Sequence, residues 1–191
     1  MHTIHHTEAV IVRSEPSGEA NKRIWLFTQE FGLLIVMVQG VRKPEAKLQS
    51  QLSDYSVISA DLIKGKSAWR LISATMVEVP LRAKERSSLA RAYVRTITLL
   101  ERFLIGEGSH DELFGHIIAC GAIVQQGNGD ARAFDALSLW KVLVLLGYIA
   151  VADADEPLFT LPLDQAMALL DESRIKKLIR SATDAISYSH L

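Results

Sequence analysis

The sequence predicts an α+β fold, a five-stranded β-barrel followed by an all-helical domain, and three observations predict it. The first 80 residues hold five short β-patterned runs divided by turn signals. No convincing long helix separates most of those runs, which argues for a small barrel over a βαβ arrangement. After Pro80 the hydrophobic period changes from two to three and four, the spacing of a helical stripe.

Thr7 to Ser14 opens the strand series and is closed by Glu15-Pro16-Ser17-Gly18, where Pro and Gly stop a strand and reverse the chain. Arg23 to Gln29 follows, then the Phe31-Gly32 corner, then Leu33 to Gln39 ending at Gly40. Tyr55 to Lys64 and Ala68 to Val79 flank the turn Gly65-Lys66-Ser67. An OB-type barrel is one closed solution for five such strands, and an SH3-like barrel is another.

Leu89, Tyr93, Ile97, Leu100 and Leu104 lie on one stripe of a first helix, which Gly106 and Gly108 end. A second begins near Ser109, a candidate N-cap with Glu112 three residues on, and carries Leu113, Phe114, Ile117, Ile118 and Val124. Ala133 to Gly147 is apolar almost all round, so it belongs at a domain centre. Asp153 to Pro162 reads as an acidic connection, and Leu163 to Leu170 and Ser173 to Tyr188 as closing helices. The expected domains are 1–80 and 81–191.

A chain of 191 residues that is 49% hydrophobic supports a packed interior. Its longest apolar run, Val142 to Ala152, contains Gly147 and falls short of the roughly 20 residues that span a bilayer, so no membrane partner is expected. Met1 to His6 lacks a basic region followed by an apolar one, and the expectation is a cytoplasmic protein. Cys120, the lone cysteine, forms no internal disulfide and no thiolate cluster for zinc.

The net charge of −1 conceals a division. Residues 1–100 carry 14 Lys and Arg against 9 Asp and Glu, whereas residues 101–191 carry 7 against 13. An anionic ligand suits the first half and a protein partner the second.

No catalytic, metal or cofactor constellation emerges. His2, His5 and His6 lie at what reads as an unanchored terminus, and His110 and His116 are six apart, on different helix faces. Gly127-Asn128-Gly129 has neither the Lys nor the strand-to-helix context of a phosphate loop. A binding protein is expected, not an enzyme.

The basic residues lie where a barrel would display them: Lys22 and Arg23 entering the second strand, Arg42, Lys43 and Lys47 after the third, and Lys64, Lys66 and Arg70 around the last hairpin. Charges at strand ends meet phosphates without burial, and each neutralised phosphate releases counterions. Trp25, Tyr55 and Trp69 are candidate base-stacking platforms, with a core role as the alternative. Arg82, Lys84, Arg86, Arg91 and Arg95 either extend this track or form the solvated face of the first helix.

Thr7-Glu8-Ala9-Val10-Ile11-Val12-Arg13, Gly18 to Ile24, and Leu26-Phe27-Thr28-Gln29-Glu30-Phe31-Gly32 together resemble the start of the RecO family of DNA repair and recombination mediators. So do Val38-Gln39-Gly40-Val41-Arg42-Lys43-Pro44, Lys47-Leu48, Gln51-Leu52, Leu71-Ile72-Ser73-Ala74 and the segment ending Leu145-Leu146-Gly147-Tyr148. The resemblance implies an OB-fold DNA-binding domain over 1–80, a helical domain over 81–191, and a nucleoid-associated cytoplasmic protein. It implies binding of single-stranded and double-stranded DNA, strand annealing, and work with RecR to load RecA onto DNA covered by single-strand-binding protein. An adaptor of the same machinery with weak DNA affinity is the alternative. In the family a cysteine-bearing, zinc-ribbon-like insertion often follows the Leu-Gly-Tyr helix, and a basic tail is common. Here Ile149 to Pro162 is short and cysteine-free, and the residues up to Leu191 supply no basic tail, so the resemblance is to a trimmed member. Single-strand-binding protein, whose tail is acidic in the family, would need a local basic spot such as Arg102, Arg132 or Lys141.

Overall fold

The computed structural model describes residues 3–42, 46–66, 68–78, 87–104 and 106–189, apart from the side chain of Lys47. They fall into two compact units, Met1–Arg82 with Leu104–Phe114, and Ala83–Phe103 with Gly115–Leu191.

In the first unit, β1 (Ile4–Ser17), β2 (Asn21–Thr28), β3 (Gly32–Val38), β4 (Val57–Lys64) and β5 (Trp69–Glu78) close into a barrel in the order β1-β2-β3-β5-β4. Neighbours are antiparallel except β3 and β5, which run parallel through Val36↔Trp69 and Met37↔Arg70. Closure in this order makes the barrel OB-type.

The period of two decides which side chains fill it. Ile24 and Leu26, Leu34, Val36 and Val38, and Ile58, Ala60 and Leu62 pack inside with Ala9, Ile11, Trp69 and Leu71. Three bulges interrupt the alternation, one in β1 between Ile11 and Arg13 and two in β5, where Ile72 and Val77 are the extra residues. The β5 bulges account for two apolar strand residues that stand half exposed.

Leu104–Phe114, which includes the glycines read as a helix stop, is a strap packed on the barrel. Gly32 bridges to Glu107, the Gly108 N–H donates to Phe31 O at 3.1 Å, and the Ser109 hydroxyl donates to Gln29 O at 3.2 Å. The β2–β3 turn receives it because Thr28 Oγ1 donates to Gly32 O and accepts from the Phe31 N–H. Gly32 has φ +70°, and a Cβ there would lie 2.6 Å from Gly108 O. At the strap's far end the Phe114 ring packs at a tilt against Phe27, ring centroids 5.6 Å apart.

His5 and His6 are not a loose end, and His2 lies outside the described residues. β1 begins at Ile4, the His5 ring sits edge-on between Phe31 and Trp69, and His6 bonds Asp61. Pairing with β4 anchors a stretch whose composition alone reads as a free terminus.

The helical unit is built from α1 (Ser88–Phe103), α2 (Asp111–Gln126, beyond its first turn), α3 (Ala131–Leu145), α4 (Glu156–Thr160), α5 (Leu163–Ala168) and α6 (Glu172–Tyr188). Ser109 does not cap α2 as expected, because its hydroxyl is turned to Gln29 O and the Asp111 carboxylate. Asp130 caps α3 by accepting from Arg132 N, and Asp171 caps α6 by accepting from Arg174 N. α3 packs against α1, α5 and α6, the central position its apolar surface requires. The acidic connection is partly helical, with a 3-10 turn at Asp153–Asp155 running into α4. No helix among the described residues is long and apolar enough to cross a membrane.

A polar cluster lies inside this unit. The Thr96 and Ser138 hydroxyls are 2.9 Å apart, and His116 Nε2 donates to Ser138 O at 3.1 Å. Burial pushes His116 down to about 4 and the Cys120 thiol up.

Two outcomes follow. Gly32→Ala combines backbone strain with a clash against fixed backbone and lowers stability by about 2–4 kcal/mol, whereas Gly18→Ala, with φ +67° and nothing within 4 Å of its Cβ, costs about 1–2; urea unfolding midpoints measure both. For His116, the unfolded chain takes a proton near pH 6.5 and the folded one only near 4, so this residue's contribution is fully present above 6.5 and is lost as the pH falls to about 4. The loss amounts to about 3 kcal/mol, and His116→Gln flattens the stability profile across that window.

Candidate nucleic-acid interface

The outer wall of the barrel has two chemically different sides, set by strand register. On β2, Arg23, Trp25 and Phe27 alternate with core residues, and the pairs Arg23↔Met37, Trp25↔Ile35 and Phe27↔Leu33 put them beside the outer residues of β3. Parallel pairing then sets Arg70 beside Met37, so Arg23, Met37 and Arg70 share one outer row. On the β1–β4 side the exposed residues include Glu8, and Asp61 accepts from Ser73 and bonds His6. The Ser73 hydroxyl above all, and His6 after it, hold the Asp61 carboxyl below the usual range, leaving a persistent negative charge there.

A groove of about 390 Å³ opens on the basic side. Arg23 and the outer β3 residues Leu33, Ile35 and Met37 form one wall, Ala68 and Trp69 at the start of β5 another, and Gly106 and Glu107 of the strap close it. Ile35, at 51% exposure, is a large apolar residue offered to solvent beside cations.

The predicted cations separate into three groups. Lys22, at the barrel rim, Lys66, in the β4–β5 turn, and Arg70 make no ion pair among the described residues. Arg42 is spent on architecture: its guanidinium donates to Gly18 O at 2.7 Å and its backbone N–H to Ala20 O, tying the β1–β2 turn to the chain after β3. Arg23 pairs with Glu15 at 3.3 Å and Lys64 with Glu107 at 2.7 Å, both at exposed sites where such pairs are worth under about 1 kcal/mol. Lys43, the Lys47 side chain, Arg82, Lys84 and Arg86 lie outside the described residues.

The aromatic candidates are corrected by packing. Trp25 is only 8% exposed and the Arg13 guanidinium lies 3.8 Å from its ring centroid, so the face that a base would need is covered. Trp69, 6% exposed, belongs to the barrel core, and only its Nε1 edge reaches the groove, donating to Glu107 Oε1 at 3.0 Å. Tyr55 precedes β4 while Lys64 ends it, which puts this residue at the opposite end of that strand; its backbone, at φ 67°, is held by its N–H to Ile11 O.

Sequence reasoning missed Arg13, Ile35, Met37 and Glu107. Ile35 and Met37 carry a signal, since period-two alternation from the core positions puts them outside, whereas Arg13 comes beside Trp25 only through the bulge at Val12. Glu107 carries almost none, because it sits in the acidic half and reaches the barrel only through the strap. Of the basic spots considered in the helical half, Lys141 is buried with its ammonium donating to Leu161 O, Arg132 pairs with Glu172, and the Arg102 guanidinium lies 5.4 Å from the Phe103 ring centroid. Arg95 pairs with Asp135 at 2.8 Å.

A closed β1-β2-β3-β5-β4 barrel, with a groove on its β2–β3 face that Arg23 and Glu107 both line, defines an OB-type module, here continued by helices. The family described as Recombination protein O N terminal matches residues 1–80. The chain is 26% identical over 142 residues to the DNA repair protein RecO of Chlorobium limicola, covering 73% of this chain and 53% of that one. It is 27% identical over 144 residues to the DNA repair protein RecO of Synechococcus elongatus, covering 74% and 54%, and 31% identical over 64 residues to that of Desulfitobacterium hafniense, covering 34% and 23%. Residues 1–80 therefore carry the likeness to the RecO N-terminal family, and the alignments to whole RecO proteins extend that likeness into the helices. The chain spans about half the length of the first two relatives.

Core membership of Trp69 has a measurable consequence. Trp69→Ala lowers stability by about 3–5 kcal/mol, the range for a large buried aromatic. An unmoved urea midpoint would place Trp69 outside the core.

Proposed function

We propose that this protein acts in DNA repair and recombination as a mediator that binds single-stranded DNA along the outer β2–β3 groove, without breaking bonds. One observation carries the reading: Arg23, Met37 and Arg70 share an outer row beside the groove, whose lining among the described residues holds a single carboxylate, Glu107. A phosphodiester backbone laid in this groove meets Arg23 on one wall, with Arg70 beyond Met37 in the same row. Its bases meet Ile35 and Met37 rather than open aromatic rings.

The affinity this implies is of a particular kind. Stacking on an aromatic platform is worth about 1–3 kcal/mol per base, and the buried Trp25 and Trp69 do not supply it. Phosphate neutralisation therefore dominates, which makes binding tolerant of sequence and steeply dependent on salt. Double-stranded DNA as a second ligand, strand annealing, RecA loading with RecR, contact with single-strand-binding protein and nucleoid association complete the proposal and rest on the family. So does the division of labour between a DNA-binding domain over 1–80 and a helical domain over 81–191.

The shielded tryptophans also favour a second reading, an adaptor of the same machinery in which protein contacts dominate. Pull-down of RecR with and without DNA separates the two, since an adaptor retains the partner while showing no affinity for DNA.

Titration of a labelled single-stranded oligonucleotide across a salt series tests the mediator. Arg23→Glu with Arg70→Glu should weaken binding at low salt and reduce the slope of log K against log salt by about 0.7 for each phosphate that is no longer neutralised. Undetectable binding by the parent protein at low salt sinks the reading.

A further inference from the structure

We infer that Lys64 and the Trp69 indole form a phosphate seat that Glu107 fills in the free protein and yields to a nucleic-acid backbone. The inference rests on the DNA-binding reading above and specifies where one phosphate goes.

The geometry is that of a two-oxygen anion held by two donors. Glu107 Oε2 accepts from Lys64 Nζ at 2.7 Å and Oε1 accepts from Trp69 Nε1 at 3.0 Å. Lys64 donation first, then that of Trp69, holds the carboxyl below its usual range. Two non-bridging phosphate oxygens present a similar pair of acceptors, and the seat borders the open groove lined by Arg23 and Met37. A strand following that groove arrives at an anion site already occupied.

The occupant is anchored by its backbone and free at its tip. Glu107 is fixed through the bridge to Gly32 and the neighbouring Gly108 N–H bond to Phe31 O, yet its side chain is 47% exposed. Rotation of one side chain vacates the seat while the strap stays docked. Because the pair is exposed, the competition is mild, a modulation of affinity and not a block. The Trp69 N–H, otherwise a donor at the edge of an apolar core, keeps an acceptor in both states.

The test uses the full chain and a labelled single-stranded oligonucleotide at low salt. Glu107→Gln should tighten binding by about three- to tenfold, because the competing charge is gone. Glu30→Gln, the same charge change on the β2–β3 turn, controls for net charge and should shift binding less than about twofold. Lys64→Ala should abolish the gain, the double variant binding no tighter than Lys64→Ala alone. Independently of any variant at 107, the Trp69 indole N–H resonance, assigned with Trp69→Phe, should move when oligonucleotide saturates the parent protein.

Glu107→Gln binding equal to the parent, a gain that survives Lys64→Ala, or a stationary Trp69 resonance at saturation each overturns the seat and leaves the DNA-binding reading intact. If neither parent nor variant binds, the reading and the seat fall together.

Discussion

The pairing of β3 with β5 is the constraint on which the rest of the first unit depends. It registers only two residue pairs, Val36↔Trp69 and Met37↔Arg70, but it turns a five-stranded sheet into a closed barrel. Closure removes the exposed edges that an open sheet would offer to other chains. It also brings Trp69 into the core beside Val36 and carries Arg70 next to Met37, within one row of Arg23. The groove is therefore a product of topology, with walls that come from strands far apart in sequence.

Charge follows the same topology. Strand pairing sets Arg23 and Arg70 in one outer row with Met37, while the paired β1 and β4 strands carry Glu8 and Asp61 as well as Arg13 and Lys64. Asp61 keeps its charge through the Ser73 hydroxyl and His6. In the helical unit the reverse holds for Lys141, whose ammonium is turned inward to donate to Leu161 O and whose pKa is lowered by burial. Counting cations along the chain would credit Lys141 with a ligand that its burial denies it.

Much of the fold was readable because its signals are periodic. Alternation found all five strands, and the nearly uniform apolar surface of Ala133 to Gly147 found the central helix. Barrel type was not readable from strand count, since OB-type and SH3-like closures use similar strands and differ in pairing between residues far apart. The site was readable in outline only. Trp25 does lie on the outer face, as its alternation with Ile24 and Leu26 requires, but a bulge at Val12 brings Arg13 opposite it and covers the ring. Trp69 and Arg70 are sequence neighbours with opposite fates, one inside and one outside. Glu107 eluded the reading because two glycines around it look like a helix stop, and only the tertiary fold shows the strap lying against Gly32.

The strap has a consequence for modularity. The chain enters the barrel unit, leaves it for α1, returns through Leu104–Phe114 and leaves again, so that it passes between the units three times. A cut after the last strand would separate the barrel from Glu107, from the Gly108 bond to Phe31 and from the ring that packs against Phe27. In the exchange of gene segments or in laboratory domain grafting, the barrel cannot travel as one contiguous stretch of sequence. Its hereditary unit is longer than its structural one.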